Sequence, residues 1–99
     1  MNPSKKISNV LKPWFVYILK CKNSSLYTGI TTDLTRRIKE HNSGSGGHYT
    51  KVFRPVKLIW DETHPSHSSA LKREAQIKKW TRKKKLALIA GDFKLLKKL

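Results

Sequence analysis

Cysteine is nearly absent from this 99-residue sequence, in which Cys21 is the only one. A single cysteine cannot form an internal disulfide, and it has no cysteine partner at the spacing of a zinc knuckle. The sequence therefore excludes a disulfide scaffold and indicates a reducing compartment. We interpret Cys21 as a small residue within a strand.

Long apolar runs are also missing from the sequence. The first thirteen residues, MNPSKKISNVLKP, contain no stretch that would serve as a signal peptide or as a membrane span. We therefore expect a cytoplasmic protein with no membrane association.

Acidic residues are scarce, since six Asp and Glu stand against 22 Lys and Arg and the net charge is +16. Self-repulsion of this size destabilises a compact protein unless a polyanion binds to it. Nucleic acid is therefore the expected partner, with DNA favoured and RNA as the alternative. No small-molecule cofactor is expected, and the pattern leaves the oligomeric state open.

Apolar residues are abundant enough for a packed core, because the sequence is 37% hydrophobic and has three residues each of Trp, Tyr and Phe. Its length suits one small domain. We divide it into an N-terminal extension over residues 1–13, a folded domain over residues 14–91 and a basic C-terminal tail over residues 92–99. The apolar spacing in the tail suggests one or two helical turns.

The residue pattern predicts an α/β (α+β) fold, in which a small three-stranded antiparallel sheet is flanked by helices. Strands are predicted over residues 14–21, 26–31 and 56–62, and helices up to residue 42, over 70–80 and over 82–90. Thr31 or Thr32 is expected to cap the first helix, with Asp33 in its first turn, and Gly91 to end the last. Glycine-rich residues 43–55 are expected to form a surface loop that contacts phosphate.

The first helix carries two arginines, and the helical periodicity places them on different sides of the helix. Leu34 and Ile38 define the side that faces the core. Arg37 and His41 border this side one turn apart, whereas Arg36 points almost opposite to it. Arg37 is therefore predicted to be the structured arginine of the pair.

The second helix places a carboxylate on its predicted core side. That side is expected to contain Ala70, Leu71, Ala75, Ile77 and Trp80. Glu74 falls among them, and a carboxylate facing a core is costly unless a cation pairs with it. A metal ion or Arg37 would supply the charge, and an exposed ion pair with Lys78 at i+4 is the simpler alternative.

The first two strands carry one tyrosine each. Tyr17 and Tyr27 share a face of the sheet only if the numbers of paired residues sum to an even number, which a loop of three or five residues, or one bulge, allows. Gly29 would then leave a gap beside the ring that a phosphate or another backbone could approach closely. The simpler alternative is two ordinary strand aromatics and a bulge glycine.

Basic residues cluster at several places where nucleic acid could bind. The run KKWTRKKK over residues 78–85 is either a solvated face or a track for a phosphate backbone. The candidate nucleic-acid contacts are Gly29, Arg36, His48, Lys51, Arg54, Lys78 and Arg82. His64 and His67 lie three residues apart but lack further ligands, so we do not expect zinc there.

Taken together, these positions resemble the GIY-YIG nuclease family, in particular its small stand-alone bacterial branch and the N-terminal incision domain of the excision-repair excinuclease. The two tyrosine motifs stand as FVY, residues 15–17, and YTG, residues 27–29. Arg37 follows Tyr27 by ten residues, His41 follows one turn later, and Glu74 lies in LKREAQIKKW. The first motif lacks glycine, and no asparagine follows Asn42.

The resemblance implies a divalent-metal-dependent endonuclease that acts on DNA, branched or damaged, in repair or recombination. It implies that Glu74 holds Mg²⁺ or Mn²⁺ and that Arg37 neutralises charge on the phosphate. Tyr17 would be the general base, made more acidic by a neighbouring cation, and Tyr27 would orient the water. His41 would assist proton transfer or bind phosphate. The alternatives are a nucleic-acid-binding module on the same scaffold that does not cut, and an RNA-associated structural protein.

Overall fold

A computed structural model describes residues 12–99, and the side chain of His48 lies outside this description. Most of the expected N-terminal extension, residues 1–11, therefore also lies outside the described residues. The strands are β1 (Trp14–Lys20), β2 (Leu26–Thr31) and β3 (Lys57–His64). The helices are α1 (Leu34–Ser43), α2 (His48–Val52), α3 (His67–Lys78), α4 (Arg82–Ala90) and α5 (Phe93–Lys98).

The three strands form one antiparallel sheet in the order β2-β1-β3, which confirms the predicted sheet. Phe15 pairs with Thr31 and Tyr17 with Gly29, so the paired numbers sum to 46 in both cases. Because this sum is even, Tyr17 and Tyr27 lie on the same face of the sheet. The five residues 21–25 between β1 and β2 are one of the loop lengths that permit it.

Helices cover both faces of the sheet, and β1 at its centre is buried on both sides. Val16 and Ile18, both 0% exposed, pack with Ala70 and Ile77 of α3. Tyr17, on the opposite face, belongs to a second cluster that α1 covers through Leu34 and Ile38; the other members of this cluster are Leu19, Cys21, Tyr27, Phe53, Val56 and Leu58. Burial on both faces explains why the sequence of β1 is continuously apolar and aromatic.

The N-cap of helix α1 lies one residue after Thr32 and two residues after Thr31, the two predicted caps. Asp33 is the N-cap, and its side-chain oxygen accepts a hydrogen bond from the backbone N–H of Arg36 at 3.0 Å. The expectation of a cap at Thr31 or Thr32 was wrong because Thr31 still belongs to β2. The Thr31 hydroxyl instead accepts from the Asp33 backbone N–H at 3.1 Å, which fixes the turn into the helix.

Helix α3 begins at His67, three residues before its predicted start, because Ser66 caps it through the Ser69 N–H at 3.1 Å. Its fully buried residues are Ala70 and Ile77, which are seven positions apart. The buried stripe therefore runs between them along the side that contains Glu74. Leu71, 42% exposed, and Ala75 were wrongly predicted to face the core.

The glycine-rich segment 43–55 is not simply a surface loop, because α2 forms inside it and buries Thr50. Helix α4 ends at Gly91 as predicted, with a φ of 71° that favours glycine. The tail then forms α5, in which Leu96 packs against the core and Phe93 is 61% exposed. Within residues 12–99, no helix has the length and apolar character needed to cross a membrane.

Candidate active site

Three aromatic rings from β1, β2 and α1 meet on the face of the sheet that α1 covers. The ring centroids of Tyr17 and Tyr27 are 6.4 Å apart, those of Tyr17 and His41 are 5.9 Å apart, and those of Tyr27 and His41 are 5.2 Å apart. Tyr17 and His41 are 1% and 0% exposed, whereas Tyr27 is half-buried. The pairing register and the helical period thus bring together residues up to 24 positions apart.

The space beside Gly29 is filled by the ring of Tyr17. A Cβ atom at Gly29 would lie 2.5 Å from the Tyr17 hydroxyl oxygen and 2.7 Å from Cζ. The expectation of an open gap beside Gly29 was therefore wrong, and the predicted contact of Gly29 with nucleic acid stays a prediction. The glycine is needed because any side chain there would push the phenol out of its position.

His41 makes two side-chain hydrogen bonds in the interior. Its Nε2 lies 2.9 Å from the Tyr17 hydroxyl oxygen, and its Nδ1 lies 2.7 Å from the Thr50 hydroxyl oxygen. With 0% exposure it is not in a position to bind phosphate directly, which corrects one of its two expected roles. Burial, aided by the charge of Arg37, lowers the pKa of His41 to about 4, so the imidazole is neutral near pH 7.

Tyr17 is a weaker acid than expected from its position beside a cation. Burial raises the pKa of its phenol to about 12, and the neighbouring Arg37 offsets only part of this increase. The net change is an increase, so the prediction that a neighbouring cation would make Tyr17 more acidic than an ordinary phenol was wrong. Tyr17 holds its proton at neutral pH, and Nε2 of His41 lies 2.9 Å from its hydroxyl oxygen.

Arg37 is the structured arginine, as the helical periodicity predicted. It donates to the Glu40 carboxylate at 2.9 Å and to the Gly46 carbonyl oxygen at 2.7 Å. Its side chain stays 29% exposed, and a guanidinium has five N–H donors, so donors remain for a phosphate. Arg36 is exposed on the outer side of α1.

Glu74 is mostly buried, with 17% of its side chain exposed, and forms an ion pair with Lys78 at 3.2 Å. The i+4 lysine is thus its partner, and Arg37 is not. Residues 12–99 contain no cluster of three or more potential metal ligands. One carboxylate still suits Mg²⁺ or Mn²⁺, because such ions keep several waters and take further oxygens from substrate phosphates.

A basic groove lies next to Tyr27 and has a volume of about 440 Å³. Lys78 and Lys85 line it together with Tyr49, which is 42% exposed and donates to the Ser25 hydroxyl at 2.7 Å. Lys78 links this groove to Glu74 through their ion pair. Sequence reasoning placed Lys85 in the basic run but missed Tyr49, which α2 brings to the hairpin.

The other predicted nucleic-acid contacts occupy separate parts of the surface, and all of them are exposed: Arg36, Lys51, Arg54 and Arg82. Lys51 and Arg54 both lie against Gly44 at the end of α1, whereas Arg36 lies near the start of that helix beside Asp33. The backbone of His48 begins α2, and its side chain lies outside the described part of the chain. Their binding roles stay predictions.

The buried neutral His41 predicts a loss of stability in weak acid. Its pKa is about 4 in the folded state and about 6.5 in an unfolded chain. Between these values the unfolded chain binds the proton and the folded protein does not, so stability falls as the pH falls from about 6.5 towards 4. The contribution is fully present above pH 6.5 and amounts to at most about 3 kcal/mol.

Urea denaturation of the protein and of His41→Gln at pH values from 7.5 to 4.5 measures this effect. The pH dependence should weaken in His41→Gln and persist in His67→Gln, which alters an exposed histidine. Parallel pH curves for the protein and for His41→Gln would contradict the assignment of the titrating group.

The fold and this cluster define the class of the protein. A sequence profile described as the GIY-YIG catalytic domain matches residues 13–87, and the chain belongs to the GIY-YIG family of nuclease domains. A UPF0213 protein of Staphylococcus aureus strain Mu50 is 55% identical over 75 residues, which cover 76% of this chain and 92% of the relative. The chain is thus similar to stand-alone GIY-YIG domain proteins.

Two solved structures share the fold. The solution NMR structure of a UPF0213 protein from Bacillus halodurans is 44% identical, has a TM-score of 0.53 and is matched over 79% of this chain and 83% of that one. The solution NMR structure of a protein from E. faecalis is 42% identical, has a TM-score of 0.57 and is matched over 85% of this chain and 88% of that one. GIY-YIG domains are generally nucleases, and membership of this family implies a nucleic acid substrate.

Proposed function

We propose that this protein is a divalent-metal-dependent endonuclease that hydrolyses phosphodiester bonds in DNA, branched or damaged, during repair or recombination in the cytoplasm. The observation that carries the proposal is the 2.9 Å hydrogen bond between Tyr17 and His41. It joins a phenol on the sheet to a neutral base inside the domain, next to Arg37. The net charge of +16 supports a polyanionic substrate.

The proposed base is the Tyr17–His41 pair and not a tyrosinate. As water attacks phosphorus, its proton passes to the Tyr17 oxygen while the phenolic proton passes to Nε2 of His41. The new oxygen–phosphorus bond forms, the bond to the leaving oxygen breaks, and that oxygen keeps the electron pair until it takes a proton from solvent. This route avoids a free tyrosinate, which a pKa of about 12 disfavours.

Arg37 and Tyr27 complete the proposed site. Arg37 has N–H donors left beyond those used by Glu40 and Gly46, and a guanidinium matches two phosphate oxygens at once. The half-buried Tyr27 lies between the Tyr17–His41 pair and the groove, where it would orient the water. Phosphoryl transfer depends mainly on such positioning and on electrostatic stabilisation.

Glu74 would hold the divalent ion, Mg²⁺ or Mn²⁺. When bound, such an ion supplies Lewis-acid stabilisation of the phosphate and of the leaving oxygen. The Lys78 ammonium lies 3.2 Å from Oε2 of Glu74, so a bound cation would compete with Lys78 for this carboxylate. Lys78 would then be available to the DNA backbone in the groove.

The alternative function is a nucleic-acid-binding module that does not cut. Two observations favour it: Tyr17 is 1% exposed, and Glu74 is already paired with Lys78. Under this alternative, the same basic surface binds DNA or RNA without metal.

A cleavage assay decides between the two functions. The purified protein is incubated with labelled single-stranded, duplex, flap and branched DNA and with one RNA, in Mg²⁺, in Mn²⁺ or in EDTA. We expect metal-dependent cleavage of at least one DNA, and the preferred substrate then indicates the pathway. Tight binding without cleavage in every metal condition would instead establish the binding module.

A further inference from the structure

Thr50 lies between His41 and the backbone of the glycine-rich segment. It is 1% exposed, and its hydroxyl oxygen lies 2.7 Å from Nδ1 of His41 and 3.4 Å from the Gly47 carbonyl oxygen. A carbonyl oxygen only accepts, so the hydroxyl proton has an acceptor in Gly47. The hydroxyl oxygen is then free to accept a hydrogen bond from Nδ1–H.

The hydrogen bond at Nε2, the other ring nitrogen of His41, also requires the ring proton to be on Nδ1. Tyr17 is 1% exposed, and Nε2 of His41 is the one hydrogen-bond acceptor found for its hydroxyl within residues 12–99. The neighbouring Arg37 has only donors. If Nε2 carried the proton of the neutral ring, the buried Tyr17 proton would lack an acceptor, at a cost of about 1–3 kcal/mol.

One tautomer of His41 therefore satisfies every proton in the chain of hydrogen bonds. Tyr17 donates to Nε2, Nδ1–H donates to Thr50, and Thr50 donates to the Gly47 carbonyl oxygen. The hydrogen bond made by one ring nitrogen determines whether the other is free to act as a base. Nε2 is free to receive the Tyr17 proton because Thr50 holds the ring proton at Nδ1.

The surrounding backbone keeps Thr50 in place. Arg37 donates to the Gly46 carbonyl oxygen at 2.7 Å, which ties the loop to α1. A Cβ atom at Gly46 would lie 2.5 Å from both Cα and Nδ1 of His41, so only glycine lets the loop approach this closely. The glycine-rich segment thus positions a hydroxyl against the histidine.

We propose that Thr50 is a positioning residue that holds His41 as the Nδ1–H tautomer, so that Nε2 can take the proton of Tyr17 during phosphodiester hydrolysis. Its catalytic consequence rests on the proposed nuclease function. Its structural consequence, the tautomer of His41, does not.

The test compares Thr50→Val, which keeps the shape and removes the hydroxyl, with Thr50→Ser, which keeps the hydroxyl. Imidazole nitrogen shifts are measured by NMR at pH 7 in protein labelled with ¹⁵N-histidine, and His41→Gln assigns the His41 signals. We expect a protonated Nδ1 in the protein and in Thr50→Ser. In Thr50→Val we expect a mixture of the two tautomers, because Nδ1–H then lacks an acceptor while Tyr17 still needs Nε2, and the two costs are of similar size. Thr28→Val is the matched control, because Thr28 is 4% exposed and its hydroxyl has no partner among the described residues.

Kinetics with the cleavable DNA provide the second readout. We expect Thr50→Val to lower kcat about 10–100-fold with little change in KM, the size of loss seen when the hydrogen-bond partner of a metal-bound histidine is removed, and Thr50→Ser to restore it. If Thr50→Val does not fold, Thr50→Ala replaces it in both measurements. An Nδ1 that stays fully protonated in the variant without the hydroxyl would overturn the proposal, whatever the kcat of that variant.

The two proposals fail in distinguishable ways. A protein that cleaves no DNA refutes the nuclease function, while the nitrogen shifts still test the role of Thr50. A protein that cleaves DNA but keeps the same His41 tautomer without the Thr50 hydroxyl refutes only the inference about Thr50.

Discussion

Replacing Glu74 with glutamine should nearly abolish metal-dependent cleavage and leave the fold intact. The variant keeps the size of the side chain and loses the charge that would hold Mg²⁺ or Mn²⁺. Lewis-acid stabilisation by a bound ion amounts to several kcal/mol, so we expect a fall in kcat/KM of about 10²–10⁴-fold. The ion pair with the 54% exposed Lys78 contributes little stability, and the melting temperature should hardly change.

Lys78→Gln is the matched control for Glu74→Gln, because it removes the same ion pair from the other side. We expect it to retain metal-dependent cleavage, with weaker DNA binding if Lys78 contacts the backbone. A Glu74→Gln protein that cleaves as well as the unaltered protein at equal metal concentration would show that the metal binds elsewhere or is not used.

Replacing Tyr17 with phenylalanine should cause the second large loss. The ring and its packing remain, but the hydroxyl that links water to Nε2 of His41 is removed. General-base catalysis typically contributes about 10²–10⁴-fold, and we expect kcat to fall by this factor in single-turnover cleavage assays. The buried Nε2 is left without a donor, so the free energy of unfolding should also fall by about 1–3 kcal/mol.

Tyr27→Phe is the control for Tyr17→Phe, because it removes a hydroxyl from the same ring cluster without removing the hydrogen bond to His41. Tyr27 lies in the same ring cluster, but within the described residues its hydroxyl makes no protein hydrogen bond. We expect a smaller loss of kcat and almost no change in unfolding free energy. If Tyr27→Phe were instead the more damaging change, Tyr27 would be the base, and the proton route through His41 would be wrong.

The sheet and the first helix could be predicted because their local patterns agree with their packing. The runs that form β1 and β2 have the β-branched and aromatic residues of a buried hairpin, and a five-residue loop puts both tyrosines on one face. Helical periodicity distinguished Arg37 from Arg36, because the Leu34 and Ile38 side faces the core. Predictions of this kind need only the periods of a strand and of a helix.

The exposure of Leu71 and the formation of α2 could not be predicted, because both depend on which distant segments pack against each other. Leu71 was assigned to the core from its hydrophobicity, yet the contact between α3 and the sheet leaves it 42% exposed. The glycine-rich segment gave no helical signal, yet α2 forms in it and Thr50 meets His41. Short helices of this kind are stabilised by tertiary packing and not by intrinsic propensity.

Local patterns in the sequence were enough to predict the three-stranded sheet with its helices, the excess of basic residues and the residue types that mark a GIY-YIG domain. These follow from local periodicity, net charge and motif spacing, which do not require knowledge of neighbours distant in the chain. The protonation states of Tyr17 and His41 could not be predicted in this way, because a pKa depends on burial and nearby charge, which packing sets. Burial raises the pKa of Tyr17 and lowers that of His41, and the resulting pair of a protonated phenol and a neutral imidazole exists only when β1, α1 and α2 are packed together.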